Sequence, residues 1–214
     1  ATLRQTGLSS NTVILLTADH GDMLGEHGLW FKKHFFDHAS RVPLIVHAPE
    51  YFASGRSLVN VSLVDLLPTL CDLAGFKVGE HAPQALDGSS LVSQCEHPEH
   101  TNSRAVYAEI TSEGVPAPMF MVRSGQYKLI QGGDVPPVLY DLANDPEERS
   151  NVADQPELTD TRRSLRSLIQ NCWDPASLER DIRLSQRRRR LVHAAHQKGT
   201  APVWDHRPED PTVP

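Results

Sequence analysis

Two unbroken apolar runs stand out in the first fifty residues of the chain. "TVILLTA" covers residues 12–18, and "VPLIVHAP" covers residues 42–49, where Pro49 ends the run. Continuous aliphatic and β-branched runs are typical of strands that are covered on both faces, as in a parallel sheet flanked by helices. The pattern therefore predicts two buried strands of an α/β layer.

Helical spacing of apolar residues appears in three later segments. "SLVDLLPTLCDLAG" (62–75) predicts a helix that ends at Gly75 and is kinked or begun by Pro68. Two further helices are expected at about 157–172 and 176–197, before a Pro-rich tail. The first residues also look like the last turns of a helix that ends at Gly7. Since this start also lacks Met, we expect the chain to be cut from a longer protein.

Short alternating segments lie between these helices. Turn-forming "SGQ" and "GGDVPP" separate three of them, which favours an antiparallel meander. The segments are 104–110, 118–124, 127–132 and 137–142.

Composition narrows the functional class. The 214 residues carry 21 Lys and Arg against 27 Asp and Glu, a net charge of −6, and no apolar run approaches the roughly 20 residues that a membrane span needs. An acidic body argues against a nucleic-acid partner, and the lack of a long apolar run argues against a membrane partner. The Arg187–Arg190 run is interpreted as a solvated helix or an assembly interface rather than a nucleic-acid site.

The three cysteines form no CxxC pair and no disulfide framework. They predict free thiols in a reducing compartment, and hence a cytoplasmic location. The positions are Cys71, Cys95 and Cys172.

The clearest candidate functional residues come directly after the first predicted strand. Asp19 and His20 come directly after it, where open α/β sheets bind ligands, and both side chain types can ligate a divalent cation. Gly21 is expected to let the backbone turn sharply, and Lys32 could hold an anion near the metal. Taken alone, Asp-His-Gly at a strand end is more often structural than functional.

A wider window gives a resemblance. "TADHGDMLGEHGLWFK…FFDHASRVPLIVHAP", "VSLVDLLPTLCDLAG" and "YKLIQGG…PVLYDLANDPEERSNVADQPE" resemble, in order, the later part of formylglycine-dependent sulfatases of the alkaline phosphatase superfamily. "LSQRRRRLVHAAHQKGTAPVWDHRP" resembles the tail of choline-sulfatases. The resemblance covers nearly the whole chain.

The resemblance implies an α/β fold: the C-terminal part of an alkaline-phosphatase-like sandwich, then a small antiparallel sheet subdomain, then C-terminal helices and a tail. We place these at residues 1–100, 101–156 and 157–214. It implies homo-oligomers formed through the tail.

In the resembled family, an Asp-His pair binds a divalent metal, and this pair corresponds to Asp19 and His20. The resemblance implies Ca²⁺, with Mg²⁺ or Mn²⁺ as alternatives. The lysine of "GLWFK" touches the sulfate, which matches Lys32, whereas Lys33 has no counterpart and is interpreted as solvated. The family nucleophile is a formylglycine made from Cys or Ser in C/S-x-P-x-R, and none of the cysteines here fits that motif. We therefore expect the nucleophile and the other metal ligands upstream, and a fragment that is inactive alone.

The expected substrate is choline-O-sulfate, which needs a quaternary-ammonium site. Glu109 matches the acidic residue that the family uses there, with Glu113 as the weaker match, although a solvated strand residue remains an alternative. Trp204 could reach the site of a neighbouring subunit, or could simply anchor the tail.

Other functions stay open. A phosphonate or phosphodiester hydrolase of the same superfamily shares Asp-His-Gly and the following Lys. A non-catalytic interaction module is the alternative from another class. His34 and His38 are four residues apart and form a conceivable metal pair, but no other His-x₃-His pair has an acidic partner on a predicted helix.

Overall fold

The structure, a computed structural model, describes residues 2–77, 85–101, 104–112 and 114–199. These residues form two compact units that divide after Trp173. The domain boundaries expected after residues 100 and 156 stay predictions. Glu113 and Trp204 lie outside the described residues.

The first apolar runs do form strands, but their pairing differs from the prediction. After a short helix, α1 (Thr2–Gln5), strand β1 (Ile14–Thr17) pairs antiparallel with β4 (Leu44–His47), with Ile14 opposite His47. Both strands are largely exposed or half-buried. The expectation of parallel, fully covered strands is therefore wrong for these residues, because apolar composition reports a tendency to be covered and carries no information on strand direction.

Between β1 and β4 the chain folds into a small hairpin and a helical turn. Strand β2 (Met23–Leu24) pairs antiparallel with β3 (Trp30–Phe31), and α2 (Asp37–Ser40) follows. Met23 is fully buried, so the hairpin is anchored from one side.

The predicted helix at 62–75 is confirmed as a 3-10 turn, Leu63–Asp65, that leads into α3 (Leu66–Leu73). A capping box starts it: Ser62 and Asp65 bond each other's backbone N–H. Pro68 is tolerated in α3 because it stands in the first turn, where backbone N–H groups lack helical partners. A short helix, α4 (Val92–Glu96), follows.

The antiparallel meander is confirmed. Strands pair in the order β5-β6-β7-β8, and Gly125 provides the left-handed residue (φ +55°) of the β6–β7 turn. The strands are β5 (Ala105–Ile110), β6 (Met119–Ser124), β7 (Tyr127–Gly132) and β8 (Val138–Asp141).

One face of this sheet holds the hydrophobic core. Helix α5 (Thr159–Cys172), at the predicted place, packs on β6 and β7. Trp173, which follows α5, lies with its ring 4.8 Å from that of Phe120. Each large aliphatic side chain buried here contributes about 1.5–3 kcal/mol. The core side chains are Phe120, Val122, Leu129, Leu139, Leu165 and Ile169.

The second unit contains α6 (Pro175–His196), which confirms the last predicted helix. Asp174 caps it through the N–H groups of Ala176 and Ser177, and Pro175 takes the first helical position. The Arg187–Arg190 run lies within α6. None of the helices in the described part of the chain is long and apolar enough to cross a membrane.

Candidate functional site

The turn after β1 presents Asp19 and His20, as the sequence predicts. The Asp19 side chain is 88% exposed and that of His20 is 32% exposed. Gly21 follows, and its N–H donates to the carbonyl of Ala39 over 2.9 Å. A Cβ at Gly21 would clash with the carbonyl oxygen of His38, so glycine is required by close approach to α2 rather than by the sharp turn that we expected.

Backbone contacts orient the His20 ring. Its Nδ1 lies 2.8 Å from the carbonyl oxygen of Gly21, which can only accept, so Nδ1 carries the proton. The Nε2 lone pair therefore points outward, the arrangement found in metal-ligating histidines whose other nitrogen donates to a carbonyl. Nε2 lies 3.5 Å from Oδ2 of Asp19.

Lys32 reaches this group from β3 and the loop that follows it. Its Nζ lies 2.7 Å from Nε2 of His20, although the two residues are twelve positions apart. Phe31 and Lys33, on either side, both have left-handed backbone, with φ of 69° and 81°. Such conformations are costly for residues with large side chains and cluster at functional sites.

The loop that carries Lys32 is organised by Glu26. Its carboxylate accepts a 2.6 Å hydrogen bond from the N–H of Leu24, and this bond chiefly holds the pKa of Glu26 below its usual range. Gly25 and Gly28 hold left-handed backbone on either side of the turn. These local contacts shape the turn that leads to Lys32.

The donor set of this group fits a divalent cation. Two ligands about 2.1–2.5 Å from an octahedral ion lie about 3–3.5 Å apart, which agrees with the spacing of Asp19 Oδ2 and His20 Nε2. Lys32 and a metal would compete for the same nitrogen of His20. A cation bound at that nitrogen would displace the ammonium of Lys32, which could then hold an anion beside the cation.

A buried ion network that the sequence did not reveal connects this loop to the small sheet. Lys128 of β7, 1% exposed, donates to Glu148 over 2.7 Å, to Asp37, and to the carbonyl of Phe35 over 2.9 Å. Glu148 also accepts from the N–H of Asp37 over 2.6 Å. A lysine within a strand pattern and a glutamate in a polar connection give no sign in sequence that they meet.

A cleft of about 480 Å³ lies beside the network. It is lined by Thr17, at the end of β1, and by the guanidinium-bearing residues Arg41, Arg56 and Arg123. Asp37 also lines the cleft and pairs with Arg41 and Arg123, and the remaining basic charge favours anionic groups. Glu109 is not among the residues that line it.

Glu109, the other described residue of the predicted site, lies on the small sheet. Glu109 is exposed on β5, opposite Phe120 of β6, and none of the hydrogen bonds or ion pairs of the Asp19 group in the described ranges reaches it. Lys33 is exposed, as expected of a solvated residue, but it takes part in an interaction. The prediction for Trp204 falls outside the described residues.

Comparison with known sequences gives consistent matches. The chain is 39% identical to the choline-sulfatase of Rhizobium meliloti (strain 1021) over 97% of its own length and 40% of that protein. It is 34% identical to arylsulfatase K of Bos taurus over 78% of its length and 32% of that protein. It thus spans less than half of the curated relatives it matches.

Solved structures agree in fold. The structure of BT4656 in complex with its substrate D-glucosamine-2-N,6-O-disulfate matches with a TM-score of 0.68 and 27% identity, over 84% of this chain and 37% of that chain. The phosphonate monoester hydrolase of Agrobacterium radiobacter matches with a TM-score of 0.64 and 27% identity, over 84% and 37%. The fold is α/β, alkaline-phosphatase-like, with a small antiparallel sheet and helices, as the sequence predicted.

Two family models cover most of the sequence. The model described as choline sulfatase enzyme C terminal matches residues 180–212. The model described as N-sulphoglucosamine sulphohydrolase, C-terminal, matches residues 25–174, which include Lys32 and begin just after Asp19 and His20. The chain therefore belongs to the sulfatase family and corresponds to its C-terminal region.

Proposed function

We propose that this chain is the C-terminal portion of a sulfuric ester hydrolase that cleaves choline-O-sulfate to choline and sulfate. The observation that most supports hydrolase activity is that Asp19, His20 and Lys32 lie close together after the end of β1. His20 Nε2 and Lys32 Nζ are 2.7 Å apart. Sulfate ester hydrolysis needs fixed positive charge on the sulfuryl oxygens, and Lys32 supplies an ammonium for it.

Asp19 and His20 would hold a divalent cation, Ca²⁺ in our proposal, with Mg²⁺ or Mn²⁺ as alternatives. Such an ion, when bound, would act as a Lewis acid on the sulfuryl oxygens. Two protein ligands leave most positions of a hard cation open, so the remaining ligands must come from elsewhere in the complete protein. No Cys or Ser in the 214 residues is followed by x-P-x-R, so the formylglycine would also lie outside this sequence.

The choline specificity rests on the last part of the chain. The match of residues 180–212 to the choline-sulfatase C-terminal model, and 39% identity to a choline-sulfatase over nearly the whole chain, both favour it. We propose Glu109 as the carboxylate for the quaternary ammonium, because it is an exposed acid on β5, and Trp204 as an aromatic contribution from the tail of a second copy in a homo-oligomer.

A second candidate is a phosphonate monoester hydrolase. It is favoured by the likeness to the Agrobacterium radiobacter enzyme of that name, at a TM-score of 0.64. A tetrahedral phosphonate and a sulfate would make similar demands on Lys32 and the metal ligands.

The deciding experiment assays a complete protein, with the upstream region joined to these residues, on choline-O-sulfate and on an aryl phosphonate monoester. We expect kcat/KM for choline-O-sulfate to be higher by at least about 100-fold, which corresponds to about 2.7 kcal/mol of preferential transition-state binding. Preference for the phosphonate would transfer the assignment to the second candidate. Turnover of neither substrate would favour the non-catalytic interaction module.

A further inference from the structure

A four-residue turn after α4 carries two histidines and a glutamate. The His97–His100 turn, "HPEH", is closed by a hydrogen bond from the N–H of His100 to the carbonyl of His97 over 3.1 Å. Each of His97, Glu99 and His100 offers one ligand atom, and these atoms all lie within 4.8 Å of one another. Among the described residues, no other group of three or more His, Cys, Asp or Glu side chains brings its ligand atoms this close together.

The distances suit one small ion. Oε1 of Glu99 lies 3.6 Å from Nδ1 of His97 and 3.7 Å from Nε2 of His100. Ligand atoms about 2.0–2.2 Å from a tetrahedral Zn²⁺ are about 3.3–3.6 Å apart, which the two carboxylate–imidazole distances nearly match. The two imidazole nitrogens lie within 4.8 Å of each other, so the rings must rotate and close further to share one ion. The two imidazole rings are stacked, with centroids 4.7 Å apart and planes 20° from parallel.

The backbone of the turn is held in place before any ion binds. Nε2 of Gln94 donates to the carbonyl of His97 over 3.3 Å and to that of His100 over 3.2 Å, so one side chain of α4 spans the turn. Pro98 restricts the turn further and packs so closely on Gly55 that a Cβ there would clash with its ring. The ligands therefore need side-chain adjustment rather than folding of a loop.

The charge state also suits a cation. A hydrogen bond from its own backbone N–H chiefly lowers the pKa of Glu99, and the proximity of His100 and His97 lowers it further, against an opposing effect of burial. Nearby Cys95 is half-buried, and burial raises the pKa of its thiol. Its sulfur is not among the ligand atoms that meet at this turn, which leaves the set as two imidazoles and one carboxylate.

We propose that His97, Glu99 and His100 form a surface site for a divalent transition-metal ion of the Zn²⁺ type. Two nitrogens and one carboxylate oxygen suit Zn²⁺ better than Ca²⁺, which prefers an all-oxygen shell. The fourth position is open to water or to a group from another molecule. The site is separate from Asp19 and His20 and does not depend on the proposed hydrolase activity.

The test is calorimetric titration of the 214-residue chain with ZnCl₂, alongside Glu99→Gln and His100→Ala. We expect one Zn²⁺ per chain at this site and a loss of affinity of at least about tenfold in each variant, since even outer-shell partners of metal ligands contribute 10–100-fold. Zn²⁺ should also raise the Tm of the wild-type chain and not that of Glu99→Gln. All three residues are exposed, so unchanged circular dichroism should accompany these losses.

The control is His193→Ala/His196→Ala, which removes an i,i+3 histidine pair of α6 that has no third ligand among the described residues. This variant should bind Zn²⁺ like the wild type. Equal Zn²⁺ affinity in the wild type, Glu99→Gln and His100→Ala would overturn the proposal. A loss of affinity in His193→Ala/His196→Ala as large as that in Glu99→Gln would overturn it too.

Discussion

The small sheet and the β1–β4 pair are built from similar apolar residues, yet they differ in burial. Ile169 of α5 is 0% exposed beneath the sheet, whereas Ile45 of β4 is 58% exposed. The sheet has α5 and Trp173 over its apolar face, while Leu16 and Ile45 of the pair remain open. An apolar pattern therefore identifies a strand that tends to be covered, and the covering element decides whether it is.

The proposed catalytic group belongs to the less covered of these regions. Asp19 and Lys32 are both exposed, and the loop beyond them is tied to the small sheet by the buried contacts of Lys128 with Asp37 and Glu148. The segment that follows the Asp19 loop is therefore anchored to the small sheet.

Breaking the buried ion network should have the largest effect. Glu148→Gln leaves the ammonium of Lys128 buried with one carboxylate fewer, so we expect the free energy of unfolding to fall by about 3–5 kcal/mol, measured by urea denaturation. The matched control is Glu147→Gln, which removes an exposed carboxylate one residue away. It should change the free energy of unfolding by less than about 0.5 kcal/mol. Similar effects of the two substitutions would contradict the supporting role of the network.

Truncation of the same residue type in both regions sharpens the contrast. Ile169→Ala opens a cavity in a closed core and should cost about 2–5 kcal/mol. Ile45→Ala removes a side chain that is 58% exposed, so its cost should stay below about 1 kcal/mol. The denaturation midpoints of the two variants measure this difference, and equal shifts would mean that β4 is covered in solution.

The smallest expected effect concerns the end of β8. Partial burial raises the pKa of Asp141, but hydrogen bonds from Asn144, Gln126 and backbone N–H groups outweigh it and leave that pKa below its usual range. A depressed carboxyl pKa contributes stability that is present above the unfolded value, about 3.9, and is lost as pH falls through the folded value. Asn144→Ala should raise the pKa of Asp141 in an NMR titration and weaken stability slightly at neutral pH, whereas an unchanged pKa would remove Asn144 as a cause.

Local features were predictable from the sequence. The meander, α5 and α6 followed from turn residues and periodicity, whereas the roles of Asp19, His20 and Lys32 come from a resemblance and stay predictions. The direction of β1 against β4, the clash that requires glycine at Gly21, and the contact of Lys128 with Glu148 depend on residues distant in sequence. No local pattern encodes such contacts. In the His97–His100 turn, the two histidines are three residues apart and flank a proline and a glutamate. This spacing differs from that of a helical histidine pair, so helical spacing does not identify the turn.

The most direct test of the central claim is turnover of choline-O-sulfate by a complete protein that carries Asp19→Ala, compared with Asp22→Ala. Both carboxylates are exposed, so neither change should lower Tm appreciably. For Asp19→Ala we predict a loss of kcat of at least about 100-fold, because a metal ligand at the sulfuryl group is removed. For Asp22→Ala we predict near wild-type turnover. Wild-type turnover in Asp19→Ala, or an equal loss in both variants, would contradict the assignment of Asp19, His20 and Lys32 as a sulfatase centre.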